Sequence, residues 1–464
     1  MNCSAVYPEI LHKDTRGWVG QSEGRGTLDI ILSCSITVFL CIWTSVCVNV
    51  PSPEPGVPAV LRDRWYMFCL GLLGPEFIVL LAAGQYCNAK ASVRAFKAAK
   101  CSEWTMKHGF FADMGGVHLQ VSTLESFPIN SKQLLFLVNR GHTPYPDISK
   151  TTITDKNKRD GLAKFISTTQ MFWFTVSTIS RPIKRYAMTT LETTTLAYIL
   201  CAFTALFFWR HKPMDFHGPI VIECQAALEE IVDHKGHNAA DPYHFTPLDF
   251  VSRQEWIGNR LWVYYVNLLR KLRIIHVFQQ TRPVRRISLF DFPPPDRFML
   301  FFMLGLTSTY TGIFVAGWNF HFPSYSEKIL WRTCSLGTTI IVLIGGLFEL
   351  IIIFREYRPQ REPFHSSVDP FIEIEAITPP IRAHLLPKPP ETCLETMLQQ
   401  ARNVTPNRDP HYDVPIRSLL FTTPICAMYC IFRLFILVED AISLRELPAS
   451  AFAVIAWPTY LPHL

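Results

Sequence analysis

The sequence is poor in charged residues. Asp, Glu, Lys and Arg make up 18% of its 464 positions, against about 25% in an ordinary soluble chain. Its 13 cysteines are too sparse for a disulfide-rich secreted module. A disordered chain is excluded too, because apolar residues make up 49% and the net charge is only +6. Two classes remain: a globular protein with an unusually apolar surface, or a protein that is partly embedded in lipid.

Motifs that mark common enzymes are also missing. The sequence has no P-loop, no GxSxG nucleophile elbow, no HExxH and no GxGxxG. His234, His237 and His244 gather in one polar loop, but no second cluster completes a metal site. The sequence therefore predicts no metal, no cofactor and no nucleic-acid partner. It leaves open whether the protein is an enzyme.

Long apolar runs are abundant. A helix needs about 20 residues to cross about 30 Å of hydrocarbon. The run 298–320 carries no charge, and 333–354 carries only Glu349. A buried helix of a soluble enzyme explains one such run but not a series of them, so the pattern predicts an all-α polytopic transmembrane bundle. About seven spans are expected, with six or eight left open: 28–50, 65–87, 162–179, 191–209, 298–320, 333–354 and 416–438.

These spans divide the chain into membrane and loop regions. Basic residues collect on the cytosolic flanks of membrane helices, and Lys90, Arg210 and Arg355 each follow a predicted span. Arg181 is an exception, because it falls in a link that this arrangement places outside. The predicted regions are a cytosolic N-terminal segment 1–26, two spans in 27–87, a cytosolic loop region 88–161, two spans in 162–209, a cytosolic loop region 210–296, two spans in 297–354, a Pro-rich cytosolic loop 355–415, the last span 416–438 and a C-terminal tail 439–464.

One further helix is predicted outside the spans, at 255–278. Apolar residues at Ile257, Leu261, Tyr264 and Leu268 recur every three or four positions, with basic residues between them. Such a helix is typical of a membrane interface. The alternative is an ordinary helix packed on the loop region.

The ionisable residues inside the predicted spans are candidate functional residues, since a charge in lipid is costly unless it faces protein or water. Glu76 lies at the centre of its span and Arg433 lies three-quarters of the way along another. We expect the two to pair. Such residues serve either as a clamp between helices or as snorkelling side chains, or they belong to a catalytic or transport site. Asn319 and His321 lie in an aromatic link that either lines a pocket or forms an interfacial belt.

Two glycosylation sequons are present, at Asn2 and Asn403. Both fall in regions that the predicted orientation places in the cytosol, so neither is expected to be used. No signal peptide is recognised, because a largely polar stretch precedes the first apolar run. That run is expected to remain as an anchor.

Several strings together give the chain a resemblance to an uncharacterised family of fungal multi-pass membrane proteins. The resemblance implies a membrane-embedded protein, in some cases an accessory component of secondary-metabolite biosynthesis, and it supplies no site residues. The strings that carry it are Arg64-Trp65, Gly74-Pro-Glu-Phe-Ile-Val79, Trp104-Thr-Met-Lys-His-Gly-Phe110, Met114-Gly-Gly116, Asp155-Lys-Asn-Lys158, Gly317-Trp-Asn-Phe-His-Phe-Pro323, Leu330-Trp-Arg332 and the tail Trp457–Leu464.

Three functions of different class therefore stay open. The first is a non-enzymatic scaffold, receptor-like or accessory membrane protein. The second is an intramembrane enzyme acting on a lipophilic substrate, of the terpene cyclase or acyl or prenyl transferase type, with Glu76, Arg433, Asn319 and His321 as candidate catalytic residues. The third is a transporter. The expected partners are the lipid bilayer and a lipophilic small molecule, in an endomembrane or the plasma membrane.

Overall fold

The structure is a computed structural model in which helices predominate, as the sequence predicts. It describes residues 14–20, 24–51, 57–122, 124–146, 148, 158–213, 218–224, 226–232, 243, 245–253, 256–275, 282–289, 291–356, 393–406 and 408–455. The helices are α1 (Thr27–Ser45), α2 (Val57–Leu73), α3 (Pro75–Ala98), α4 (Met106–Asp113), α5 (Ser131–Asn139), α6 (Lys158–Ile183), α7 (Thr190–Phe208), α8 (Leu228–Val232), α9 (Asp249–Ser252), α10 (Ile257–Lys271), α11 (Arg297–Ala316), α12 (Tyr325–Glu356), α13 (Cys393–Arg402) and α14 (Ile416–Ile442).

Five predicted spans are confirmed as helices long and apolar enough to cross a membrane. Large apolar side chains cover the outward faces of these helices, as in the series Ile340, Ile344 and Phe348 on α12. The qualifying segments are Thr27–Ser45, Thr190–His211, Arg297–Asn319, Tyr325–Ile351 and Ile416–Arg445.

The second predicted span, 65–87, is not one continuous helix. The chain bends by 116° between α2 and α3, at Gly74. The bend arises because Pro75 has no backbone N–H and disfavours helical geometry in the residue before it. Gly74 accordingly has a non-helical backbone, with φ −153° and ψ 87°. The pair α2–α3 is therefore either a broken span or a re-entrant segment, and 65–87 is not confirmed as a span.

The third predicted span, 162–179, lies within α6, which is long enough but is not among the qualifying apolar helices. Its polar side chains Ser167, Thr178 and Arg181 are buried in the bundle, while Phe165 and Phe172 are exposed. The polar side chains of α6 named here therefore lie on its inward face. The number of seven spans is not confirmed.

A three-stranded sheet departs from the all-helical prediction. Its strands are β2 (Val117–Val121), β3 (Leu124–Pro128) and β4 (Ile220–Cys224), in the order β3-β2-β4. Strands β2 and β3 are antiparallel, whereas β2 and β4 pair in parallel. Because β2 and β4 come from 88–161 and 210–296, these two predicted loop regions form one α/β unit with a shared apolar core.

The α/β unit lies at one end of the helix bundle, here called the sheet end. The Val50 amide, just after α1, donates to the Met114 carbonyl at 3.0 Å. The Lys212 ammonium, just after α7, donates to the Cys47 carbonyl at 3.2 Å. Helices α1 and α7 therefore run parallel, and both finish at the sheet end.

The opposite end of the bundle, here called the terminal end, holds segments from both ends of the chain. Strand β1 (Thr15–Arg16) pairs with β5 (Leu447–Pro448) in antiparallel fashion. The Arg25 guanidinium donates to the Ala451 carbonyl at 3.3 Å. This differs from the predicted arrangement, in which segment 1–26 shares a side with the loop regions.

Helices α2 and α3 form a hairpin that starts and finishes at the sheet end. Asp63 of α2 pairs with Arg286 at 2.5 Å, and Gln85 of α3 accepts a hydrogen bond from Trp209 at 2.9 Å. At 1.5 Å per residue, Pro75 lies about 15 Å beyond Gln85, whereas α7 is about 28 Å long. The hairpin tip therefore lies near mid-height in the bundle.

The predicted amphipathic helix 255–278 corresponds to α10, as far as the structure describes it. Trp262 of α10 contacts Phe77 of the hairpin, with ring centroids 5.4 Å apart. The Tyr265 hydroxyl lies 2.9 Å from that of Thr422 in α14. These contacts seat α10 between the hairpin and α14, and its position in a membrane interface stays a prediction. The His234, His237 and His244 loop, Asn2, most of the Pro-rich loop and the tail 456–464 lie outside the described residues.

Candidate functional site

The tip of the α2–α3 hairpin is surrounded by polar side chains from other helices. The last carbonyls of a helix have no partner within the helix, and here side chains supply one. The Tyr198 hydroxyl of α7 donates to the Leu72 carbonyl. The Arg433 Nε of α14 donates to the Leu73 carbonyl at 3.1 Å. Two neighbouring helices thus satisfy the broken end of α2.

Glu76 lies in the first turn of α3, beside the bend. A carboxylate is stabilised there by the helix dipole. The Tyr429 hydroxyl of α14 donates to Glu76 Oε1. Glu76 is 6% exposed, and its Oε2 has no hydrogen-bond partner among the described residues, although the Tyr310 hydroxyl of α11 interacts with this carboxylate.

Arg433 is fully buried. Its guanidinium carbon lies 4.9 Å from the ring centroid of Phe314 and 5.4 Å from that of Tyr310, in cation–π geometry. Nη2 lies 3.3 Å from the Tyr198 hydroxyl, whereas Nη1 has no hydrogen-bond partner among the described residues.

The structure brings Glu76 and Arg433 into one cluster but does not join them directly. Their charges interact, yet the hydrogen bonds of each go to other groups. Arg433 binds the end of α2 and Glu76 binds Tyr429, so α14 holds both sides of the bend. These contacts form a clamp on the hairpin, and a catalytic or transport role of the two residues stays a prediction.

Asn319 and His321 lie apart from this cluster. Both are exposed at the terminal end, in the link between α11 and α12. Asn319 accepts from Arg332 at 3.3 Å, and His321 lies 3.6 Å from Glu446. The four predicted catalytic candidates therefore do not line a common site.

The sequence reasoning missed the tyrosines of the cluster and Asp440. Tyr429 precedes Arg433 by four residues and Asp440 follows it by seven, so all three share one face of α14. That spacing was a usable signal. No local signal marks Tyr198 or Tyr310, because their contacts depend on which helices pack together.

A second buried ion cluster lies at the terminal end. Glu192 caps the start of α7, where it accepts from the Thr189 amide at 2.9 Å, and it pairs with Arg25 at 2.5 Å and Arg181 at 3.8 Å. Arg181 also donates to the Ala451 carbonyl at 2.6 Å. Because it is held by protein groups, Arg181 need not follow the rule for exposed basic flanks.

A small cavity lies against the hairpin tip. Its volume is ≈ 10 Å³, and Ile42, Gly71, Pro75, Tyr198, Cys201 and Ala205 line it among others. Such a volume holds about one water molecule. Within the described ranges, no three or more His, Cys, Asp or Glu side chains gather as a metal site requires.

Comparison with known proteins gives one match. Residues 5–233 are similar to a family of unknown function (DUF8562). The matched stretch includes Glu76 and Tyr198 but ends before Tyr310, Tyr429 and Arg433. No curated protein and no solved structure matches the chain.

Proposed function

We propose that the chain is a multi-pass integral membrane protein in which α1, α6, α7, α11, α12 and α14 cross the bilayer. The hairpin α2–α3 enters from the sheet end and returns to it. The supporting observation is that large apolar side chains cover the outward faces of these helices. A surface that faces water rarely exposes so many of them together. The most exposed ones on these helices include Phe165, Phe172, Phe298, Ile344, Leu420 and Phe421.

The sheet end is assigned to the cytosol. Basic residues there include Arg62, Lys90, Arg94, Lys97 and Arg210, and the positive-inside rule places such flanks in the cytosol. Both terminal segments then face the lumen or the exterior. The helix α10 lies in the cytosolic interface, with the exposed Leu272 and Ile274 at its end facing lipid.

The function that this geometry supports best is that of a non-enzymatic scaffold or accessory protein, which holds the α/β unit at the cytosolic membrane surface. The observation that carries it is that Arg433 of α14 binds the hairpin, while Glu76 of the hairpin binds α14. The cavity at the hairpin tip has a volume of only ≈ 10 Å³. The resemblance to fungal membrane proteins supports one role of this kind, that of an accessory component of secondary-metabolite biosynthesis.

A transporter is the second candidate, and the broken helix favours it. Discontinuous helices supply ion and substrate sites in many transporters because their free ends carry partial charges. An intramembrane enzyme for a lipophilic substrate is less well supported, since Asn319 and His321 are remote from Glu76.

Two measurements test the proposal. Carbonate at high pH should leave the full-length protein in the membrane fraction, and detergent should release it; release by carbonate would remove the membrane assignment. A deletion strain is then complemented with Glu76→Gln at matched protein level. A scaffold retains the wild-type metabolite profile, whereas loss of the profile with intact folding favours an enzyme or a transporter.

A further inference from the structure

A buried carboxylate near the terminal end takes no part in binding the hairpin, although its charge interacts with that of Arg433. Asp440 of α14 is 2% exposed, and neither of its oxygens has a hydrogen-bond partner among the described residues. Buried polar atoms in proteins are nearly always paired. A carboxylate with two unpaired oxygens at this depth therefore calls for a ligand.

Hydroxyl groups surround this carboxylate. The Thr190 and Thr194 hydroxyls of α7 face it. The Thr194 hydroxyl is itself 2% exposed and has no hydrogen-bond partner within the described part of the chain. The Ser443 hydroxyl lies 2.8 Å from that of Thr190. One carboxylate and three hydroxyls thus supply only oxygen atoms where α7 and α14 meet.

The surrounding charge favours a cation. Asp440 is the third-last residue of α14, where the helix dipole is negative. The neighbouring Glu439 and nearby Glu327 add negative charge, which Arg445 offsets in part. Arg433 is the guanidinium whose charge interacts with Asp440 itself.

We propose that Asp440, Thr190, Thr194 and Ser443 form a binding site for a monovalent metal cation. Hard cations take oxygen ligands, and a divalent ion is normally held by more than one carboxylate. The site goes beyond the proposed scaffold role. It joins α7 to α14 close to the terminal end, so bound cation stabilises the packing of these helices.

The test measures thermal unfolding of the purified full-length protein in detergent. NaCl, KCl and choline chloride are compared at constant ionic strength. Na⁺ or K⁺ at about ten times its dissociation constant should raise Tm by about 1–2 °C over choline. An equal Tm in all three salts would overturn the proposal.

The variants locate the effect. Asp440→Asn should abolish the cation-dependent rise, and Thr194→Val should shift the half-effective cation concentration upward at least tenfold. Thr195→Val is the matched control, because the Thr195 hydroxyl bonds to the Leu191 carbonyl of its own helix at 2.8 Å. If Asp440→Asn fails to fold, the comparison of Thr194→Val with Thr195→Val still shows whether the cation binds at this site.

Two further outcomes count against the site. An undiminished rise in Thr194→Val or in folded Asp440→Asn would place the cation elsewhere. Stability that follows pH between 5 and 8 with no difference between salts would show that a proton neutralises Asp440 instead. Both outcomes leave the membrane assignment untouched, since carbonate extraction tests that independently.

Discussion

Arg433 Nε donates to the backbone carbonyl of Leu73 at 3.1 Å, which ties the middle of α14 to the break between α2 and α3. The guanidinium replaces the intrahelical donor that the bend removes, because the Phe77 amide donates to the Gly74 carbonyl instead. Such a contact gives a polar group at membrane depth a structural purpose.

Arg433→Met should destabilise the protein by about 3 kcal/mol. The change leaves the Leu73 carbonyl at the end of α2 without its donor and the buried Glu76 without a counter-charge. Arg417→Met is the control, since Arg417 is on the same helix but exposed. Thermal unfolding in detergent measures both. Equal Tm values for the two variants would show that Arg433 does not hold the hairpin.

Combining Arg433→Met with Glu76→Gln should cost less than the sum of the single changes, by about 1 kcal/mol or more, because residues of one network couple. A complete double-mutant cycle measures this coupling. Additive effects would mean that the two residues stabilise the bend independently.

Cysteine labelling at the two ends of the bundle tests the orientation of the chain. Tyr325→Cys, at an exposed site of the terminal end, should react with a membrane-impermeant maleimide applied from the lumen or exterior. Val221→Cys, exposed on β4, should react only from the cytosol. Labelling is compared in sealed and opened vesicles, with the unsubstituted protein as background; the reverse pattern would invert the orientation.

Glycosylation gives an independent check of the same orientation. Asn403 should carry no glycan, because its side-chain amide donates to the Asp409 carbonyl at 2.7 Å and to Asp413 at 2.6 Å. Asn2 should be an available acceptor, because strand β1 places Thr15–Arg16, the described part of the chain that follows it, at the terminal end. Endoglycosidase should therefore shift the wild type but not Asn2→Gln, and loss of the shift in Asn403→Gln would contradict the assignment.

The α/β unit should lose stability in acid through His118. This histidine of β2 is 1% exposed, and burial lowers its pKa from 6.5 to about 4. The unfolded chain binds the proton more strongly, so the contribution is complete above pH 6.5 and is lost as pH falls towards 4, by up to about 3 kcal/mol. Hydrogen exchange of the β2 amides measures it.

His118→Gln should flatten that pH dependence. His321→Gln, at an exposed position of the terminal end, should leave it unchanged. An acid-induced rise in β2 exchange that persists in His118→Gln would assign the effect to another group.

Close packing of the hairpin predicts a strong effect at Gly84. A Cβ there would lie 2.3 Å from the Pro293 carbonyl oxygen, which is backbone and cannot rotate away. Gly84→Ala should therefore destabilise the protein by about 1–3 kcal/mol. Gly305→Ala is the control, because a Cβ at Gly305 meets no atom within 4 Å. Similar Tm values for the two would show that α3 does not pack closely against the segment before α11.

The sequence by itself determined the apolar helices, because the cost of placing charge in hydrocarbon acts on each segment separately. The run predicted at 298–320 is observed as Arg297–Asn319, and the periodic segment predicted at 255–278 contains α10. Glu76 and Arg433 were recognised for the same reason, as charges inside apolar runs.

Tertiary structure decided how these parts combine. Hydropathy counts residues and cannot show that the chain reverses at Gly74, nor that β2 pairs with β4 about a hundred residues away in sequence. The side of the bundle on which residues 14–20 lie depends on the pairing of β1 with β5. The partners of Arg433 and the hydroxyls around Asp440 likewise come from different helices. Such contacts arise from packing, which no local pattern encodes.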